Sequence, residues 1–262
     1  KKPVGIHWAQ AGTVSLLEAA GVPGARAQIW AYRIPSAIGA WIAVLATAAL
    51  GRALVGRRAA TLGAALLASV LVLGVEAHIS KTDAALLATV AIAMALMGRA
   101  YVAPGNFGAG AAAGFWLALG AGVLLKGPIG PMVPLLAGIT LAVGDRAWRG
   151  GGVVARPPGE DGAWFRALRP GWGVPLMILV AAPWLVAIGV ATEGRFFREA
   201  LGGDLLNKVS SGEEAHWGPP GYYLATFGLT AFPAAIFVLR ALPGAWEDRL
   251  RPAPRFLLAW AA

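Results

Sequence analysis

Seven stretches of this chain carry no Asp, Glu, Lys or Arg over lengths that suit a bilayer crossing: 34–51, 59–75, 84–98, 100–125, 127–144, 170–192 and 215–239. A helix needs about 20 apolar residues to cross the hydrocarbon, and it satisfies its own backbone hydrogen bonds while doing so. No other feature restricts the possible folds as much. Composition agrees: 58% of residues are hydrophobic and 13% charged, with a mean hydropathy of +0.65, too apolar for a soluble domain of this length. The 36 glycines and 18 prolines do not argue against helices, because membrane spans tolerate both. We therefore expect an all-α, polytopic membrane helical bundle forming a single transmembrane domain over 1–262. A surface segment over 1–33 precedes spans at roughly 34–54, 59–78, 82–99, 107–125, 128–144, 174–192 and 221–240. The chain opens at Lys1 in mid-motif and stops within the apolar run FLLAWAA. We expect it to be an internal piece of a longer protein, with another span starting at 254.

The charges between the windows set the orientation. If the chain starts outside and alternates, the inside loops hold thirteen basic residues against five acidic, and the outside loops nine against eight. This excess of Arg on one side follows the positive-inside rule, so the net charge of +9 reports topology and not a nucleic-acid partner. The same alternation puts His7, His78 and His216 at the outer face. With no cysteine, disulfides and thiolate metal sites are excluded.

Polar residues gather at three outer places. Glu76, His78, Lys81 and Asp83 crowd one short turn, where Thr82 or Asp83 could cap the following helix. Lys126 stands alone between two apolar windows; a lone lysine at a span end usually reaches into lipid headgroups, and an ammonium there is also a ready phosphate ligand. The stretch 193–223 mixes Glu193, Arg195, Arg198, Glu199, Asp204, Lys208, Glu213, Glu214, His216, Tyr222 and Tyr223. That is a long polar loop for a chain so poor in charge, and such loops often carry function.

These outer stretches resemble, in order, the motifs of one family. Lys2-Pro3-Val4-Gly5-Ile6-His7-Trp8 resembles the KPP-x-x-x-W element of bacterial membrane glycosyltransferases of the protein O-mannosyltransferase and aminoarabinose transferase type (families 39 and 83). Arg33-Ile34-Pro35-Ser36-Ala37 is similar to their RLPSA helix start, and Lys81-Thr82-Asp83 to their R/K-T-D element. Leu125-Lys126-Gly127-Pro128-Ile129-Gly130 resembles their K-G-P-x-G turn. Phe196-Phe197, His216, Pro219 and Tyr222-Tyr223 resemble their FF…H-x-x-P…YY loop. The resemblance implies a superfamily C glycosyltransferase fold in the bacterial inner membrane. It implies an active site facing the periplasm, a polyprenyl-phosphate sugar donor, and a glycan, lipid (lipid A among them) or protein as acceptor. The family's acidic residue in the first outer loop, its expected general base, would precede Lys1. Lys1 also stands where aminoarabinose transferases tend to have Glu, and Asp204 lies where they can have His.

The implied reaction suits these residues. Displacing a sugar from a lipid phosphodiester builds negative charge on the departing phosphate, which fixed cations stabilise; Lys2, Lys81 and Lys126 are the candidates, with Arg33 behind them. An inverting displacement also needs a carboxylate to take the acceptor's proton, and Asp83 is the candidate within this chain to assist. Glu214, His216, Tyr222 and Tyr223 are candidates for the sugar pocket. Glu214 and His216 are also the ligands on offer to a divalent cation, but two without a third leave any cofactor unspecified. The rival reading is a transporter or flippase of a lipid-linked sugar. It calls for ionisable groups in the middle of spans, and the windows hold none.

Overall fold

The structure, a computed structural model, describes residues 3–149, 162–198 and 221–261, and all regular structure among them is helical. In chain order the helices are α1 (Gly5–Ala19), α2 (Ile29–Leu54), α3 (Arg57–Ala68), α4 (Leu71–Ala77), α5 (Asp83–Val102), α6 (Ala109–Lys126) and α7 (Ile129–Arg149). They continue as α8 (Ala163–Ala167), α9 (Pro170–Ala191), α10 (Arg195–Arg198), α11 (Tyr222–Thr230), α12 (Ala234–Glu247) and α13 (Pro252–Ala261). Among the described residues, α2, α5, α6 and α9 are each long and apolar enough to cross a membrane, and α3 with α4, bent by 63° at their break, are so only as a pair. The apolar part of α7, Ile129–Asp145, is shorter.

α5 lies at the centre. α2 packs along one side of it and α6 along another, α9 lies on α6, and α7 and α13 close against α5 from a further side. Apolar side chains gain little by leaving lipid for one another, so close backbone approach through small residues does much of the joining. A side chain at Gly39 would put its first carbon 2.7 Å from the Ala85 backbone, so α2 and α5 cross closely there. Gly130 sits against the Gly122 backbone at 2.9 Å by the same measure, locking α7 to α6.

Two features depart from the linear reading. First, the span expected over 59–78 is broken at Ser69 and Val70. Val70 is extended, which releases the Leu71 amide from its helix, and that amide donates to the Phe232 carbonyl at 3.1 Å. Phe232 lies in the break between α11 and α12, so two interrupted helices satisfy each other's backbone where water would be scarce. Second, α2 starts at Ile29, ahead of the expected 34, because the left-handed turn at Gly24 and the extended Gln28 already end the surface segment. Pro35 therefore falls inside the helix and not in its first turn.

The largest buried cluster, with Met94, Met97, Tyr101, Leu141 and Phe256, sits toward the end of α5 remote from Asp83. Within it Arg255 Nη1 meets Asp145 Oδ1 at 2.7 Å, the Tyr101 hydroxyl donates to the same oxygen at 2.9 Å, and Arg255 Nη2 donates to the Leu250 carbonyl at 3.1 Å. Asp145 and Arg255 count as loop charges in sequence, yet both are buried. Together they pin α13 to α5 and α7.

Candidate active site

Asp83 is the first residue of α5, and Thr82 before it makes no side-chain cap. The Asp83 carboxylate instead receives a hydrogen bond from the ammonium of Lys126, the last residue of α6, in a close ion pair. This differs from both the capping and the headgroup readings of the two residues. Their side chains are 40% and 35% exposed respectively, so the pair remains open to a third group. An ammonium has three protons to donate, and one is spent on Asp83.

Each partner is held by its own local structure. Gly127 turns the chain out of α6 with φ 64° and ψ −141°, a backbone conformation that favours glycine, before Pro128 leads into α7. On the other side, the loop from His78 to Thr82 is fixed from α2 and α1. The fully buried Ser36 donates to the Lys81 carbonyl at 2.9 Å. Gln10 Nε2 donates to Ser80 Oγ at 2.7 Å, and Ser80 Oγ donates to the Tyr32 carbonyl at 3.3 Å. Sequence reading missed Gln10 and Ser36 as supports. Ser36 had a signal, as the polar member of the Arg33–Ala37 motif on an otherwise apolar helix. Gln10 had none, because Ser80 lies 70 residues away.

α1 also reaches Lys126 from the other direction. A side chain at Gly5 would collide with the Leu124 carbonyl oxygen at 2.6 Å, and Pro3 is buried. The residues just after Lys2 are therefore docked on the last turn of the helix that ends in Lys126. Lys2 itself, Glu214, His216 and the side chain of Tyr223 lie outside the described residues. Lys81 is exposed, as is Arg33. Tyr222 is exposed at the start of α11. Phe196 is buried with its ring edge-on to Trp184 at 5.3 Å, which makes that half of the Phe196-Phe197 element a packing residue. Among the described residues no three His, Asp or Glu side chains gather as metal ligands.

Beside Asp83 a cavity of about 660 Å³ runs between α2, α3, α4, α5, α11 and α12. Leu66, Leu67, Leu73, Leu87, Phe227 and Val238 supply much of its apolar wall, and its charged lining residues are Glu76 and Asp83. Glu76 Oε2 is shut off from solvent and has no hydrogen-bond partner among the described residues. His78, expected to join this polar group, instead turns Nδ1 back to donate to the Gly74 carbonyl at 2.7 Å.

Residues 1–150 match the family described as dolichyl-phosphate-mannose-protein mannosyltransferase. Over 147 residues the chain is 26% identical to the undecaprenyl phosphate-alpha-4-amino-4-deoxy-L-arabinose arabinosyl transferase of Pseudomonas paraeruginosa (strain DSM 24068 / PA7), covering 55% of this chain and 23% of that protein. The crystal structure of ArnT from Cupriavidus metallidurans in the apo state superposes with a TM-score of 0.75 at 22% identity, over 100% of this chain and 43% of that one. The same protein bound to undecaprenyl phosphate gives 0.75 at 21% identity, over 100% and 44%. The chain thus spans less than half the length of these relatives and shares the fold of these membrane proteins.

Proposed function

The chain belongs to the dolichyl-phosphate-mannose-protein mannosyltransferase family, and we propose that it is the donor-binding part of a membrane glycosyltransferase. The enzyme would move a sugar from a polyprenyl-phosphate carrier to a lipid, glycan or protein acceptor at the periplasmic face of the bacterial inner membrane. The observation that carries this reading is the Lys126–Asp83 ion pair, whose Asp83 lines the apolar cavity. A polyprenyl phosphate is an anion on an aliphatic chain, and it needs a cation at the edge of an apolar volume. A relative named for an undecaprenyl phosphate-linked sugar and a structural neighbour bound to undecaprenyl phosphate support the same chemistry. The excess of Arg in the loops at the other end of the bundle supports the sidedness.

In this reading the acceptor hydroxyl oxygen bonds to the anomeric carbon of the sugar. The bond from that carbon to the phosphate oxygen breaks, and its electron pair leaves with the phosphate. Lys126 stabilises the charge that builds there, and it can do so without transferring a proton. Lys2 and Lys81 are the further cations proposed for the phosphate. Asp83 holds the ammonium through Oδ1, which leaves Oδ2 to assist deprotonation of the incoming hydroxyl. Glu214, His216, Tyr222 and Tyr223 are proposed to shape the sugar pocket. The test is the affinity of the full-length protein for undecaprenyl phosphate. Lys126→Ala should weaken it about ten- to a hundredfold, the value of one charge-assisted contact of roughly 1.5–3 kcal/mol. Unchanged affinity would remove Lys126 from the phosphate site.

A further inference from the structure

We propose that Glu76 reads the sugar on the carrier, its carboxylate accepting a hydrogen bond from a hydroxyl or ammonium group of the sugar ring. This rests on the glycosyltransferase reading and assigns a residue that the reading leaves unused.

Glu76 lies near the end of α4, the short helix beyond the 63° break, and lines the same cavity as Asp83. Its Oε2 is hidden from solvent and has no partner among the described residues. Buried carboxylate oxygens are costly unless something donates to them, and native proteins rarely leave one unpaired. None of the nearby described groups donates to it. The Lys126 ammonium is on Asp83, the His78 Nδ1 is on the Gly74 carbonyl, and Lys81 is exposed. α4 is itself anchored at its start, where its first amide donates to the Phe232 carbonyl. No described side chain donates to Oε2, and in this proposal its donor comes with what enters the cavity.

The parts of a polyprenyl-phosphate sugar differ in what they can offer Glu76. The aliphatic tail has no donor and fits the leucine-rich wall. The phosphodiester is an anion with acceptor oxygens, which a carboxylate repels. Only the sugar carries hydrogen-bond donors. Lys126 on the phosphate and Glu76 on the sugar would thus place the anomeric carbon between a cation and an acceptor. Buried polar groups built for a ligand's donor discriminate strongly against a ligand that lacks it.

The experiment compares binding of bare undecaprenyl phosphate with undecaprenyl phosphate bearing glucose, mannose or 4-amino-4-deoxy-L-arabinose, in the full-length protein. The wild type should bind one sugar-bearing carrier more tightly than the bare one. Glu76→Ala should erase most of that preference, about tenfold or more, while affinity for bare undecaprenyl phosphate stays within about twofold. Glu76→Gln keeps an acceptor oxygen but no charge. Retained preference in that variant identifies a hydroxyl, and lost preference an ammonium. Removing an orphan carboxylate should not unfold the protein, and an unchanged or higher thermal midpoint for Glu76→Gln checks this. The proposal is overturned if no sugar improves wild-type binding, if Glu76→Ala keeps the full preference, or if it weakens bare undecaprenyl phosphate equally. A sugar preference that depends on Glu76 in a protein unable to transfer the sugar would instead count against the glycosyltransferase reading alone.

Discussion

Lys126 and Asp83 are 43 residues apart and meet at one end of the bundle. Each could be singled out in sequence as a charge that an apolar chain can rarely accommodate, but their pairing could not, because it depends on how α5 and α6 align. The buried Tyr101–Asp145–Arg255 group was less legible still. Asp145 follows one apolar window and Arg255 precedes the last apolar run, as ordinary loop charges would, and 110 residues separate them. Their burial makes a prediction. Removing one member of a buried ion pair leaves the other charge uncompensated, which costs about 3–5 kcal/mol. Arg255→Ala should lower the thermal midpoint of the solubilised protein markedly. Affinity for undecaprenyl phosphate per folded molecule should change little, because the group lies at the end of α5 away from Asp83.

At the scale of elements, hydropathy was sufficient for the long helices and insufficient for their interruptions. α2, α5, α6 and α9 follow from apolar runs with charges at their ends. The break between α3 and α4 does not, since AATLGAALLASVLVLGV reads as one unbroken apolar segment. What allows it is an acceptor on Phe232, far along the chain. Close helix contacts are likewise visible only in three dimensions, though glycines mark where they can occur. Gly39→Val should force α2 away from α5 beside Asp83 and reduce both thermal stability and carrier binding. Gly12→Ala, where an added methyl meets open space within α1, is the control and should leave carrier binding unchanged without lowering thermal stability. Ser36→Ala should leave the Lys81 carbonyl without its donor, a cost of about 1–3 kcal/mol that thermal unfolding can measure.

For the whole molecule, the charge asymmetry and the ion pair make a joint claim that one face of the membrane holds the site. Cysteines at Ser80, beside Asp83, and at Val55, at the far end of α2, should behave oppositely in intact spheroplasts. The first should react with a membrane-impermeant thiol reagent and the second should not. Labelling at position 55 alone would reverse the orientation. The glycosyltransferase assignment is tested most directly by sugar transfer from undecaprenyl-phosphate-linked donors to acceptor, using equal amounts of each full-length variant in membranes. Lys126→Ala should lower transfer about ten- to a hundredfold, and Lys126→Arg should recover part of it, because a guanidinium keeps the charge but not the shape. Asp83→Asn, which removes the charge and keeps the size, should bring turnover down steeply in a protein that still folds and inserts. Full transfer by both Lys126→Ala and Asp83→Asn would contradict the roles given to this pair.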